Sequence, residues 1–213
     1  MLSYDLINNF KEDYIIPLHG YGGNSRCFKK QISTLNKFFN ILLIDMHGHG
    51  KSSNVHLSSK DSMTFKKIID DINSILEELE IEKAHFMGLS LGTIITNLYA
   101  YYYPKKVLSI FNVGAVIKFK PFIHRSLNIL YSLRDKLPHK LVYSIAGHII
   151  MPCKSHKISR DLFVREAKKM NNVDFYIWGR LIIDFQDNYP MEKINNNIKT
   201  LYVSGKEDYF FYR

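Results

Sequence analysis

Short apolar runs and amphipathic stretches follow one another along the chain, and together they predict alternating strands and helices. The runs 14–20 (YIIPLHG) and 40–50 (NILLIDMHGHG) are apolar at first and end in glycine, as do buried strands of a parallel sheet. Pro17 weakens the first prediction, because proline has no N–H to donate to a neighbouring strand. We therefore expect two buried strands, although Pro17 counts slightly against the first.

The next part of the chain has the periodicity of a helix. Apolar residues recur with spacings of three and four from Phe65 to Leu79, which indicates one buried helix face. Strands are predicted at 83–90, 107–115 and 198–205, and a helix at 91–103 that Pro104 ends. Strands that alternate with helices pair in parallel, so the fold class predicted is α/β.

Residues 116–197 interrupt this alternation with four stretches of helical character. A helical insertion between two strands of one sheet can form a lid over the carboxyl edge, where ligands bind. We therefore predict a core formed by residues 1–115 and 198–213, and a helical lid at 116–197.

Composition fits one globular domain. The chain has 213 residues, of which 46% are hydrophobic and 23% charged. No run reaches the ~20 apolar residues of a spanning helix, and the first residues do not resemble a signal peptide. Cys27 and Cys153 lie far apart, without metal-ligand spacing, which favours reduced thiols and a cytoplasmic location.

The net charge of +9 is concentrated in one segment. Residues 118–170 hold twelve Lys or Arg and three Asp or Glu, while the rest of the chain balances to zero. A basic segment can bind nucleic acid or anionic lipid. Because the basic residues interleave with apolar ones, solvated faces of amphipathic helices explain them more simply, and no nucleic-acid partner is expected.

Residues 88–92 read GLSLG, a G-x-S-x-G motif between a predicted strand and a predicted helix. A nucleophilic serine needs a tight, strained turn, and Gly88 and Gly92 would let strand and helix approach without Cβ clashes. The N-terminus of the following helix would then face developing negative charge. We predict that Ser90 is a nucleophile; the alternative is an ordinary turn with an incidental serine.

Four motifs together resemble the α/β-hydrolase family. PLHGYGGNS, LLIDMHGHGKSS, HFMGLSLGT and LYVSGKED occur in the order and spacing of that family, from about Tyr14 to Asp208. The resemblance implies a parallel-sheet α/β-hydrolase fold with a helical lid insertion. It also implies a serine hydrolase that acts on esters or related acyl substrates, without a cofactor.

The glycine loop after the first strand resembles the oxyanion loop of the family. By that resemblance the backbone N–H groups of Tyr21 and Leu91 would stabilise the oxyanion, with Gly20 and Gly22 shaping the loop. The alternative is a flexible loop that only closes a strand. His19 is expected to brace this loop rather than to act as a base.

Two other chemistries are not supported. The sequence GHGKS at 48–52 lacks the glycine that a phosphate-binding loop requires five positions before Gly50, where Asp45 stands. No cluster of histidine, cysteine or acidic residues has metal-ligand spacing, so no metal is predicted.

Asp208, in a loop after the last predicted strand, is the candidate triad acid, although it could be a solvated loop aspartate. In this family a histidine follows the acid. All nine histidines precede Asp208, so the triad histidine is apparently missing and the fold apparently truncated at its carboxyl end. His148 or His156 of the predicted lid could substitute. Losing that histidine typically lowers turnover by about 10⁴ to 10⁶.

Three hypotheses follow, in this order of preference. The first is an impaired serine hydrolase for a small apolar acyl substrate, since the predicted lid is rich in aromatic and aliphatic residues. The second is a noncatalytic protein that keeps the pocket for binding. The third is a basic protein that binds nucleic acid or a membrane surface.

Overall fold

The chain forms a mostly parallel sheet covered by helices. The computed structural model describes residues 1–56, 64–189 and 197–206. Within these residues the sheet has six strands in the order β1-β3-β2-β4-β5-β6. The strands are β1 (Tyr4–Ile7), β2 (Tyr14–Leu18), β3 (Asn40–Ile44), β4 (Ala84–Leu89), β5 (Val107–Val113) and β6 (Thr200–Val203). All neighbours pair in parallel except β1 and β3.

The predicted α/β class and parallel sheet are confirmed.

Two details of the sheet differ from the prediction. β1 was not predicted, and it pairs antiparallel with β3, from Tyr4 opposite Ile44 to Ile7 opposite Ile41. Pro17 lies inside β2, in the middle of the sheet. The pairing of β2 with β3 is recorded at Ile15 and again at Leu18, so Pro17 falls in the gap of that ladder. A missing N–H is tolerated there.

Helices cover both faces of the sheet. On one face lie α2 (Phe65–Glu78) and α3 (Leu91–Tyr102), which bury the larger apolar core. The predicted apolar face of α2 is buried from Phe65 to Leu76, and Leu79 is only partly buried. On the other face α1 (Lys29–Leu35), which was not predicted, packs Ile32 and Leu35 against a smaller cluster of strand residues.

Within the described residues, four helices lie between β5 and β6. They are α4 (Pro121–Ser132), α5 (His139–Ile150), α6 (Lys157–Ala167) and α7 (Asn172–Asn188), and we call them the four-helix segment. Their helical character agrees with the sequence prediction. In the part of the chain that is described, no helix has the length and apolar character needed to cross a membrane.

Candidate functional site

Ser90 occupies the one-residue turn that joins β4 to α3. Its backbone has φ 52° and ψ −114°, a conformation that an L-residue with a side chain rarely adopts. Two backbone hydrogen bonds hold the turn: Ser90 N–H donates to the Val113 carbonyl (3.0 Å), and Thr93 N–H donates to the Ser90 carbonyl (2.8 Å). The hydroxyl therefore sits on a strained bend at the carboxyl end of a central strand.

Gly92 and Gly88 make this bend possible. A Cβ atom on Gly92 would lie 2.1 Å from the Leu18 carbonyl oxygen, and one on Gly88 would lie 2.8 Å from the Gly92 backbone. No side chain fits at either distance. The two glycines thus allow the first turn of α3 to approach β2 and β4 as closely as the sequence analysis expected.

The loop after β2 lies directly beside Ser90. A Cβ atom on Gly20 would be 3.3 Å from Ser90 Cβ, and Gly23 N–H donates to the Gly20 carbonyl at 3.0 Å. Gly22 has φ 71°, which a glycine adopts without strain. The predicted oxyanion loop and the predicted nucleophile are therefore neighbours.

Two buried histidines brace this loop. His19 Nδ1 lies 2.9 Å from the Gly20 carbonyl, and its Nε2 accepts the Met46 N–H at 3.1 Å. His49 Nε2 accepts the Gly22 N–H at 2.9 Å. Burial lowers the pKa of His19 and lowers that of His49 well below its usual value, which keeps both rings neutral and able to accept. The contacts of His19 agree with the structural role expected of it.

The two predicted oxyanion donors have no acceptor. In residues 1–56, 64–189 and 197–206, neither the Tyr21 N–H nor the Leu91 N–H donates a hydrogen bond. Leu91 is the first residue of α3, where backbone N–H groups are unpaired and the helix dipole is positive. Both donors are thus available to a ligand at Ser90.

Ser90 opens into a cavity of about 190 Å³ between the sheet and the four-helix segment. Tyr21, Ser90 and Leu91 line it from the sheet side. Its remaining walls are almost wholly apolar. They are formed by Ile94, Val116, Phe119, Ile123, Leu127, Leu130, Tyr131, Val142, Tyr143, Ala146, Ile150, Phe163, Phe175, Tyr176, Gly179, Ile182 and Ile183. Such a chamber suits an apolar group next to a hydroxyl.

Tyr21 connects the sheet to the four-helix segment. Its hydroxyl donates to the Phe175 carbonyl at 2.5 Å, and its own carbonyl accepts from the Tyr143 hydroxyl. Its ring stacks on Phe175 with centroids 5.2 Å apart. The sequence analysis did not single out Tyr143 or Phe175, because nothing local to either residue indicates a contact with the glycine loop.

Helix α7 is also attached to the loop after β3. Trp178 is fully buried, and its Nε1–H donates to the His47 carbonyl at 2.9 Å. The Asp174 carboxylate, also fully buried, accepts from His56 Nδ1 at 2.8 Å. The four-helix segment is therefore hydrogen-bonded to both loops at this end of the sheet.

Within the described residues, no histidine is placed to act as a base for Ser90. All nine histidines lie within the described residues, and none is hydrogen-bonded to the Ser90 hydroxyl there. His148 is exposed on α5 and its Nδ1 lies 2.8 Å from the Ser144 carbonyl of its own helix. Neither His148 nor His156 is among the described residues that line the cavity. Asp208, the candidate acid, lies outside the described residues.

Other possible binding features are separate from Ser90. Among the described residues, no group of three or more His, Cys, Asp or Glu side chains could hold a metal ion. A larger open cavity, about 660 Å³, lies between α2, α4 and α7. Arg134 and Arg180 line it, both close to the ring of Tyr131, and Tyr131 also lines the cavity at Ser90.

This fold and this turn define a class of protein. Residues 13–135 match the family model of the alpha/beta hydrolase fold, which is more than half of the chain. The chain belongs to the α/β-hydrolase family, as the four sequence motifs predicted.

Individual relatives are similar over part of their length. A pimeloyl-[acyl-carrier protein] methyl ester esterase of Vibrio campbellii is 27% identical over 126 residues, 58% of this chain and 46% of the relative. Abhydrolase domain-containing protein abhd-5.2 of Caenorhabditis elegans is 30% identical over 93 residues, 44% of this chain and 21% of the relative. The chain thus spans less than half the length of these curated relatives.

Solved structures show the same fold. A hydrolase from Pseudomonas aeruginosa PA01 superposes with a TM-score of 0.79 at 18% identity, covering 96% of this chain and 76% of the other. The enol-lactonase from Burkholderia xenovorans LB400 gives a TM-score of 0.75 at 16% identity, with coverages of 96% and 78%. At these identities the comparison establishes the fold alone.

Proposed function

We propose that this protein is a serine hydrolase for a small ester or related acyl substrate with an apolar acyl group. The observation that carries the proposal is the strained turn at Ser90, which places a hydroxyl at the floor of an apolar cavity. Similar proteins that are named as a methyl ester esterase and as an enol-lactonase support ester chemistry. In this proposal the four-helix segment is the lid, and the core comprises 1–115 and 198–213.

Each group would have a distinct role in acyl transfer. The Ser90 oxygen would attack the substrate carbonyl carbon and lose its proton to water, while the Tyr21 and Leu91 N–H groups donate to the oxygen that becomes negative. The bond from the carbonyl carbon to the ester's alkoxide would then break, and the alkoxide would leave an acyl group on Ser90 that water hydrolyses. Two such donors typically contribute about 3 kcal/mol each to the barrier reduction. Gly20, Gly22, Gly88 and Gly92 would keep these groups at the required separation, and Asp208 would be the acid that orients a base.

Turnover should be slow, because no imidazole accepts the Ser90 proton in the described residues. The oxyanion donors and the binding cavity alone typically give rates about 10³ to 10⁴ above the uncatalysed reaction. An activated ester with a good leaving group needs the least help from a base. We therefore expect acylation of Ser90 by such an ester to be easier to detect than repeated turnover.

Cavity size limits the acyl group. Pockets for drug-sized ligands usually measure about 300–1,000 Å³, and this one is about 190 Å³. Short acyl chains should therefore react better than long ones. No charged side chain lines the cavity among the described residues, which disfavours an acyl group that carries a charge.

The experiment compares nitrophenyl acetate, butyrate and decanoate as substrates for the wild type and for Ser90→Ala. Mass spectrometry should find an acyl adduct on Ser90 with the short esters, and Ser90→Ala should lose both the adduct and the hydrolysis above background. Ser74→Ala, on the exposed face of α2, is the matched control and should behave as wild type. Equal hydrolysis by the wild type and Ser90→Ala would contradict the proposal.

A second candidate function is a noncatalytic binding protein, which is favoured because no histidine in the described part of the chain is hydrogen-bonded to the Ser90 hydroxyl. This candidate predicts that an apolar acyl compound binds with the same affinity to the wild type and to Ser90→Ala. It also predicts no adduct with activated esters. Calorimetry beside the adduct measurement separates the two functions, because only the hydrolase forms a covalent product.

The expected location is the cytoplasm. Cys27 and Cys153 are free thiols in the structure, which fits a reducing compartment. A fluorescent fusion of the chain, imaged in cells, would test this location directly.

A further inference from the structure

Helices α5 and α6 pack against each other as a pair, which we call the α5–α6 hairpin. A Cβ atom on Gly147 of α5 would lie 2.9 Å from Val164 of α6, and the rings of Tyr143 and Phe163 stack with centroids 4.3 Å apart. Both helices bury one face, α5 through Val142, Tyr143 and Gly147, and α6 through Val164 and Ala167. The opposite faces are therefore turned outward.

Each outward face carries exposed apolar side chains among polar ones. On α5 the exposed positions Leu141, Ile145 and Ile149 recur every four residues, which places them in one row. On α6 the same spacing joins Ile158 and Leu162, and Ile158 is 76% exposed. We call these five residues the outer stripe. The sequence analysis explained the basic residues of 118–170 as the solvated faces of amphipathic helices. Such faces would expose polar residues at these five positions, so that explanation does not account for the outer stripe.

The segment of the chain that carries the outer stripe is rich in cationic residues. Residues 139–169 contain seven Lys or Arg and two Asp or Glu. Both acidic residues already pair within α6 or its end: Asp161 with Lys157, and Glu166 with Lys169 and Arg165.

Three lysines of this segment have no acidic partner among the residues that the structure describes. In the described ranges, Lys140, Lys154 and Lys168 form no ion pair. The hairpin thus offers apolar side chains together with uncompensated positive charge.

The two helices that carry the outer stripe also line the cavity at Ser90. Ile150, the neighbour of Ile149, is partly exposed and lines that cavity, as do Ala146 and Phe163 of the same two helices. The hairpin therefore forms the outer surface on one side and the cavity wall on the other.

We propose that the α5–α6 hairpin docks this protein onto the surface of an anionic lipid bilayer. Apolar side chains stabilise the bound state when they enter the headgroup boundary, and each Lys or Arg near an anionic surface strengthens binding by about fivefold. A nucleic acid would attract the lysines but would leave the isoleucines in water. An anionic bilayer interacts favourably with both the apolar side chains and the lysines. The docking does not depend on the chemistry at Ser90.

Vesicle co-sedimentation tests this proposal with the full chain. Phosphatidylcholine vesicles are compared with vesicles that also contain phosphatidylglycerol, at low and high salt. The wild type should sediment with the anionic vesicles only, less so at high salt, and Ser90→Ala should sediment equally well. A failure of ester hydrolysis would therefore leave this result unaffected.

Two sets of variants locate the contact. Ile145→Glu combined with Ile149→Glu should abolish sedimentation, whereas Phe38→Glu, at an exposed apolar residue after α1, should not change it. Lys140→Glu combined with Lys154→Glu should weaken binding by about tenfold or more, because two cations are reversed, and Lys37→Glu should have little effect. Circular dichroism spectra confirm that each variant is folded.

Several outcomes would overturn the proposal. One is sedimentation with neither kind of vesicle, and another is sedimentation that the hairpin variants leave unchanged. Equal affinity for double-stranded DNA, lost in the lysine variant but not in the isoleucine variant, would indicate a polyanion site instead. A dimer in light scattering that Ile145→Glu converts to a monomer, without vesicle binding, would assign the stripe to a second copy of the chain.

Discussion

Ser90 holds a backbone conformation that usually costs of order 1–3 kcal/mol in a residue with a side chain. The Val113 carbonyl and the Thr93 N–H fix it by hydrogen bonds, and the close approach of Gly92 to Leu18 leaves α3 no room to relax. The fold thus maintains the strain at this one position. Strain of this kind is expected where a side chain must be presented for a purpose other than stability.

Replacing Ser90 should show this strain directly. Glycine has no Cβ and tolerates positive φ, so Ser90→Gly should be more stable than Ser90→Ala by about 1 kcal/mol. Urea denaturation of both variants at pH 7 measures the difference. At an ordinary helix position the order is reversed, with alanine more stable than glycine, so a more stable Ser90→Ala would show that the turn is not strained.

The buried histidines beside the glycine loop should make stability depend on pH. Burial lowers the pKa of His19 and His49 below the usual histidine value of about 6.5. Below about pH 6.5 the unfolded chain therefore binds protons that the folded chain does not. The free energy of unfolding is highest above that pH and decreases as the pH falls. Thermal melts between pH 8 and pH 5 check this trend.

A substitution tests whether His49 contributes. His49→Gln keeps an acceptor for the Gly22 N–H but cannot titrate, so its stability should fall less steeply on acidification. His148→Gln, at an exposed position of α5, should keep the wild-type slope. If the stability of the wild type and of His49→Gln depends on pH in the same way, His49 does not contribute to the pH dependence.

At the scale of helices and strands, the sequence predicted the elements whose residues carry a local signal. The apolar residues of α2 have the spacing of a buried helix face. The glycines around Ser90 have the spacing of a tight turn between a strand and a helix. β1 and α1 carry no such signal. β1 has four residues with Asp5 and Leu6 exposed, and α1 buries none of its seven residues, so neither shows periodicity.

The wall of the cavity could not be predicted for a different reason. Tyr143 and Phe175 contact Tyr21 from 122 and 154 positions further along the chain. No local pattern specifies such a pairing, because it depends on how the four-helix segment folds back over the sheet. The position of Ser90 was therefore predictable, whereas the residues opposite it were not.

The hydrogen bond from Tyr143 should contribute measurably to the packing of α5. Tyr143→Phe removes only the hydroxyl and leaves the Tyr21 carbonyl without this donor, which should cost about 1–2 kcal/mol in a buried position. Chemical denaturation gives the value. Tyr101→Phe, at a 55% exposed position of α3, is the matched control and should change stability by less than about 0.5 kcal/mol. A loss as small as that of the control would show that the contact is not stabilising.

At the scale of the whole molecule, β6 is the outermost strand of the described sheet next to β5. Leu201, Tyr202 and Val203 are all exposed on it. Exposed apolar strands at an edge pair readily with other chains. We therefore expect the protein to associate as its concentration rises.

A charge on β6 should reduce this association. Leu201→Lys places a cation on the exposed face of the strand, and light scattering over a concentration series should show a lower mean mass than for the wild type. Leu108→Lys changes a similarly apolar, partly exposed residue of β5, which is an interior strand, and should leave the series unchanged. If both variants behave as wild type, the association does not proceed through β6.

The attachment of α7 to the two loops has a consequence for recombination between members of the family. Phe175, Trp178 and Asp174 take their partners from Tyr21, His47 and His56, which precede them by more than a hundred positions. A chimera that exchanges the helices between β5 and β6 with those of another hydrolase would separate these pairs. We expect such grafts to fold only when the donor's two matching loops are transferred with them.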